Sequence, residues 1–285
     1  MIRRLGKGGM GTVYSAHDTM LGRVVALKTL RPDRNDSGTV GRFIREGRAL
    51  ARLSHPNIVS IFDMHLADGQ VVLVMEYVRG RTLKRHLAQQ RQGERLPAIL
   101  GLFMQAAGGL HAAHCAGLVH RDVKPDNLML GDDGRVRVMD FGLAQFAARP
   151  PGARRRGAVD VDGLAPELTA VGAVLGTPSY MAPEQHAGDR VDARTDVFGF
   201  CASLYEALYG ERPFAARGYD DLRRAKLAGE VRLPPHPHVP EQLREVVLRG
   251  LRVAPGERWP DMATLMAELA RFSTPARRAR GGWAA

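Results

Sequence analysis

Cysteine is nearly absent from this chain: Cys115 and Cys201 are the only two in 285 residues, in apolar helical stretches with no C-x-x-C or ligand-spaced histidine beside them. That argues against a disulfide framework or a thiolate metal cluster and predicts two buried free thiols. Long hydrophobic runs are also missing. None approaches the ~20 residues that span a bilayer, and the N-terminus enters a glycine-rich stretch within six residues, with no secretory apolar region. We therefore expect no membrane segment and a cytoplasmic address. Lysine is the third scarcity. Only Lys7, Lys28, Lys84, Lys124 and Lys226 occur, so arginine supplies 36 of the 41 basic residues and most of the net charge of +11. The charge is scattered, with no zinc-finger, RNP or helix-turn-helix pattern. It reads as a solvated basic surface, and no specific nucleic-acid partner is expected.

What is present suffices for an enzyme. A chain with 45% hydrophobic and 25% charged residues can bury a sizeable core. Up to about residue 77 it shows short β-branched runs: Thr12-Val13-Tyr14, Val24 to Leu27, Ile58 to Phe62 and Val71 to Val74. One amphipathic stretch over about 40–53 interrupts them. From about Thr82 helical periodicity takes over, at 97–116, 192–209, 219–228, 241–251 and 260–272, with proline or glycine near most junctions. The expected fold class is α+β: a small sheet with one helix, then a larger and mainly helical part. Glu76 to Gly80 carries the chain between them.

Three segments carry candidate chemistry. Gly6-Lys7-Gly8-Gly9-Met10-Gly11-Thr12-Val13 fits G-x-G-x-x-G-x-V, where glycine lets backbone amides approach phosphate oxygens. The spacing also serves plain hairpins and dinucleotide folds, but a dinucleotide loop should open a helix, and here a strand follows. Seventeen residues past Gly11, Lys28 closes the strand Val25-Ala26-Leu27, a place where lysine ordinarily snorkels to the surface. The third segment, His120-Arg121-Asp122-Val123-Lys124-Pro125-Asp126-Asn127, is followed thirteen positions on by Asp140-Phe141-Gly142. Together these offer one carboxylate for a hydroxyl nucleophile and two oxygen ligands for Mg2+.

The H-R-D-x-x-x-x-N and D-F-G patterns, with the glycine loop and Val25-Ala26-Leu27-Lys28, resemble the protein kinase family, and the resemblance runs over nearly the whole chain. In detail the chain resembles the bacterial serine/threonine (Hanks-type) branch. The resemblance implies a bilobal domain over 1–272, with an antiparallel sheet lobe to about 77, a helical lobe from 78, and a short, disordered basic tail at 273–285. It implies ATP and Mg2+ as cofactors, with Mn2+ as an alternative, and Ser/Thr hydroxyls of proteins as acceptors. Asp122 would accept the hydroxyl proton, Lys124 would offset the charge of the transferred group, and Asn127 and Asp140 would hold the metal. Lys28 would pair with Glu46. Gly6, Lys7, Gly8, Gly9, Gly11, Val13, Ala26, Met75, Glu76, Val78 and Met129 would surround ATP, with Met75 as gatekeeper. His120 and Phe141 would pack the lobes together.

The stretch 143–181 resembles the activation loop, at 39 residues longer than this branch usually shows. Ala-Pro-Glu occurs twice in or beside it. Gly176 to Met181 before Ala182-Pro183-Glu184, and Asp196 twelve residues after Glu184, favour the second triplet as the family's. Glu184 is then expected to pair with Arg258, and Thr177 to bond near Asp122 and Lys124. The surplus around 149–157, rich in Arg and Pro, predicts a disordered basic loop; a docking site for acidic partners is the sharper alternative. Thr169 is the expected autophosphorylation site, with Arg121 as its phosphate partner, and a homodimer would allow modification in trans. With only five residues before Gly6, the first strand is expected to be shorter than the family's. Other readings stay open: a catalytically silent scaffold, which would usually lack Lys28, Asp122 or Asp140; a small-molecule kinase, which should lack Gly176 to Glu184; and a nucleic-acid binder.

Overall fold

A computed structural model of the chain describes residues 2–8, 11–30, 47–67, 70–89, 96–141, 178–214, 216–233 and 238–273. Five antiparallel strands open the chain: β1 (Arg3–Gly8), β2 (Gly11–Asp18), β3 (Arg23–Leu30), β4 (Ile61–Ala67) and β5 (Gln70–Glu76), in the spatial order β1-β2-β3-β5-β4. Residues 47–51 are helical. The β-branched runs give the strands their half-buried faces, most plainly in β5, where Val71, Leu73 and Met75 point inward in alternation.

Register does the positioning. Ala26 pairs with Met75 and Lys28 with Leu73 across β3 and β5, so all four side chains share one face of the sheet. Lys28 is buried on that face rather than snorkelling. The glycine-rich segment is less of a turn than its composition implies: β1 runs through Gly8 and β2 resumes at Gly11, with Gly6 opposite Val13. The first strand is thus six residues long and includes three of the motif's own positions.

The second lobe carries α1 (Leu83–Ala88), α2 (Leu96–Cys115), α3 (Pro183–Ala187), α4 (Ala193–Tyr209), α5 (Tyr219–Ala228), α6 (Glu241–Gly250) and α7 (Met262–Ser273). A second sheet, β6 (Gly80–Thr82), β7 (Leu128–Gly131) and β8 (Val136–Val138), lies among them in sequential order. α4 is buried on nearly every side, as a central core helix must be. It is capped by Asp192, whose carboxylate accepts from the Arg194 N–H at 2.9 Å, and ended by Gly210 in the left-handed conformation. α2 is long and apolar enough to cross a membrane by length and composition. Here Ile99, Leu100, Phe103, Leu110 and Ala113 are instead packed in the core.

Three expectations need correction. The run at 58–62 is not a strand as such: β4 begins at Ile61, with a register shift between Ile61 and Asp63, while Ile58 bridges to Val138 of the other lobe. The apolar/polar alternation of this edge strand, Phe62-Asp63-Met64-His65-Leu66, lies just past the β-branched run and was not read from it. The second sheet is absent from the sequence reading because strands of three or four residues are too short to show a period. Of the two thiols, Cys201 is buried, which pushes its pKa far up, but Cys115 ends α2 exposed.

Candidate active site

The site forms where the two sheets and the end of α2 meet. Beyond α2 the chain turns sharply, with Arg121 at φ +67°, a strained value for a residue with a side chain. Asp196 of α4 fixes the turn: its carboxylate accepts the His120 and Arg121 N–H groups at 2.7 Å each, and His114 Nε2 lies 2.8 Å away. His120 Nδ1 accepts from the Asp122 N–H at 3.2 Å, so Nε2 is the nitrogen left to donate to the Met139 carbonyl, at 2.9 Å. The His120 ring also packs on Phe141, 4.7 Å between centroids.

Asp122 is buried at the centre of this turn. One oxygen receives the Lys124 ammonium at 2.7 Å and the Asn127 amide at 3.0 Å; the same Asn127 nitrogen reaches the Asp122 carbonyl at 2.8 Å. Three residues from one motif are therefore organised around a single carboxylate. Across from them Asp140, at φ +60°, forms an ion pair with Lys28 at 2.8 Å. Lys28, Leu50, Leu73, Met75, Asp140 and Phe141 line a pocket between the lobes. Ala26 shares this face, Val13 lies opposite both Gly6 and Lys28, and Met129 sits half-buried on β7. A Cβ built at Gly6 meets nothing within 4 Å among the described residues beyond its chain neighbours. Glu46, Gly9, Thr169, Thr177, the 149–157 segment, the first Ala-Pro-Glu and all of the tail beyond Ser273 lie outside the described residues.

Glu184 and Arg258 meet in the interior through two hydrogen bonds, at 2.7 and 2.8 Å. Burial alone would raise the Glu184 carboxyl, but the Arg258 guanidinium and the Thr195 hydroxyl at 2.7 Å outweigh it and hold the pKa below the ordinary value. Arg258 also donates to the carbonyls of Arg194, Arg252 and Val253. A charge so fully bonded organises the lobe.

A model of the protein kinase domain matches residues 1–269. The chain belongs to the protein kinase family. It is 36% identical over 278 residues to serine/threonine-protein kinase Pkn1 of Myxococcus xanthus, covering 92% of this chain and 36% of that one. Tyrosine-protein kinase MasK of the same species is 35% identical over 279 residues, covering 91% and 40%. The chain thus spans well under half the length of these curated relatives. Among solved structures, a mutant PknI kinase domain of Mycobacterium tuberculosis superposes with a TM-score of 0.69 at 28% identity, over 95% of this chain and 94% of that one.

Several residues of this kinase domain were not singled out from sequence. Arg137 of β8 bonds Glu76, the end of β5, at 2.9 Å and Asp133 at 2.8 Å, pulling the Asp133 pKa down to about 2. The Glu76 N–H is already given to the Ser60 carbonyl at 2.9 Å, so that backbone donor is committed to the fold rather than to ATP. His114, Gln185 and Lys226 are likewise marked by no local motif. Mg2+ fits the donor set. With its nitrogen given to Asp122, Asn127 keeps an amide oxygen for a cation, and Asp140 adds a carboxylate. No group of three or more His, Cys, Asp or Glu placed to hold a metal ion is found among the described residues, nor does a metal bound largely through substrate phosphates require one.

Proposed function

We propose that this chain transfers the γ-phosphoryl group of Mg·ATP to serine or threonine hydroxyls of proteins. The observation that carries the reading is the arrangement around Asp122, buried, with Lys124 and Asn127 both bonded to it. Asp122 takes the proton of the acceptor hydroxyl as its oxygen bonds to the γ-phosphorus, and the bond to the bridging oxygen breaks, releasing ADP. Lys124 offsets negative charge on the group in transit, and Lys28 binds the phosphates of the nucleotide, exchanging its present partner Asp140. Asp140 and Asn127 would hold Mg2+ or Mn2+, which supplies charge neutralisation at the phosphate oxygens.

Lys124, two residues beyond Asp122, favours Ser or Thr as acceptor. Activation by autophosphorylation at Thr169, with Arg121 receiving the phosphate, belongs to the proposal, as do a transient homodimer for transfer in trans and a cytoplasmic setting where ATP is present. The test is radiolabelled transfer from Mg·ATP to the chain itself and to a generic protein substrate, beside Asp122→Asn and Lys28→Met, followed by phosphoamino-acid analysis. Labelled Ser or Thr, lost in both variants, is expected. Label on tyrosine alone would overturn the acceptor class, and no label with nucleotide binding intact would overturn the activity. Mass spectrometry finding Thr169 unmodified after incubation would remove the activation step.

A further inference from the structure

The segment that joins the lobes runs straight into cations. Arg79, Arg81, Lys84 and Arg85 are all exposed, and no Asp or Glu stands between Glu76 and Gln89. Leu83, fully buried, anchors α1 so that Lys84 and Arg85 face outward. The carboxylates that meet them are few. Asp126 receives the Lys84 ammonium at 3.0 Å in a pair open to solvent on both sides. Asp132 gives its N–H to the Arg79 carbonyl at 2.8 Å, and Asp133 is held by Arg137. Positive charge stays in excess over this surface.

The patch stands beside the proposed chemistry. α1 packs on the turn Pro125–Asn127, and Asn127, the neighbour of Asp126, bonds Asp122 at 3.0 Å. An extended chain advances about 3.3 Å per residue, so with an acceptor hydroxyl at Asp122, side chains two or three positions away come within reach of this turn. A carboxylate there gains a cation that Asp126 holds only weakly, because an exposed pair exchanges readily; a basic side chain meets like charge. The sequence contains an acceptor segment of matching sign. Asp160, Asp162 and Glu167 precede Thr169, no further Asp or Glu follows it before Glu184, and no Lys, Arg or His occurs from Gly157 to Gln185.

We propose that Lys84, with Arg81 and Arg85 beside it, selects acceptors by reading an acidic side chain two positions ahead of the phosphorylated hydroxyl, and that the segment it fits is residues 158–173 of a second copy of this chain. This rests on the kinase reading above. The test is steady-state transfer from Mg·ATP by the full chain to a peptide of residues 158–173, whose one hydroxyl is Thr169. The same peptide with Glu167→Ala or Glu167→Arg is run beside it, each with the unsubstituted chain, Lys84→Met and Lys84→Glu. Lys84 is exposed, so these variants keep the fold. With the unsubstituted chain the peptide KM should rise about threefold for Glu167→Ala and about tenfold for Glu167→Arg. Lys84→Met should level the series and Lys84→Glu invert it, with the KM for ATP within about twofold throughout. The same order of peptides in all three chains would overturn the inference, as would no transfer to the 158–173 peptide by a chain that labels a generic protein substrate. A chain that labels neither would instead overturn the kinase reading, and this inference with it.

Discussion

Two ion pairs, Lys28 with Asp140 at the cleft and Arg258 with Glu184 in the interior of the second lobe, have nearly the same length, 2.8 and 2.7 Å, and opposite designs. The first leaves Asp140 about a quarter exposed at a pocket wall, with both partners free to take other ligands. The second is sealed, its guanidinium bonded to a carboxylate and three carbonyls. A short charge pair thus says little by itself. Solvent access and the remaining hydrogen bonds decide whether it is poised for exchange or holds a lobe together.

That contrast can be broken from either side. Asp122→Asn, on the chemical side, should lower phosphoryl transfer by about a thousandfold while leaving the urea midpoint nearly unchanged; a matched loss of stability would erase the distinction. Arg258→Met, on the structural side, strands the buried Glu184 and should cost about 3–5 kcal/mol of folding stability, read by denaturant unfolding.

Acid should act on the structural side too. Burial first, then the Lys226 and Arg223 charges, lowers the His186 pKa from 6.5 to about 4. Between those values the unfolded chain binds a proton that the folded chain refuses, so stability falls as pH drops from 6.5 towards 4, by on the order of 3 kcal/mol. Glu184 adds to this from about pH 4.5 downward, because its folded pKa is depressed and its contribution is lost as it protonates. His186→Gln should flatten the upper part of the curve when urea midpoints are followed from pH 7 to 4. Gly250→Ala would set a Cβ against the Cys201 sulfur in the core and should cost about 1–3 kcal/mol, measured as a lowered urea midpoint. The smallest effect belongs to Lys84→Ala. It removes a 3.0 Å surface pair with Asp126 whose partners are both at least 40% exposed, and the denaturation midpoint should move by less than about 1 kcal/mol.

Legibility followed the same division. The grouping of Asp122, Lys124, Asn127 and Asp140 was readable because they sit in contiguous motifs, and the long helices because their apolar spacing repeats; 219–228 matches α5 at both ends. Residues whose function depends on a distant partner were not. Arg137 meets Glu76 across 61 positions, and Lys226 stands in a helix beside the half-buried Arg223 and the exposed Arg224, where nothing nearby marks which cation is fully buried. Glu184 with Arg258 was the exception, anticipated through family resemblance rather than from any local pattern.

One strand of three residues ties the lobes mechanically. Val138 of β8 exchanges backbone hydrogen bonds with Asn57 and Val59 at 2.9 and 3.0 Å, just before β4, and its neighbour Arg137 holds Glu76 at the end of β5. These two fastenings therefore land on adjacent residues, and the Asn57 amide, bonded to the Val136 carbonyl at 2.8 Å, adds a third on the same strand. Rotation about β8 keeps these bonds intact, while the Lys28–Asp140 pair across the cleft would have to exchange partners. β8 is the axle of the cleft: opening would swing the glycine-bearing strands β1 and β2, at the far side of the sheet from β4, through the widest arc.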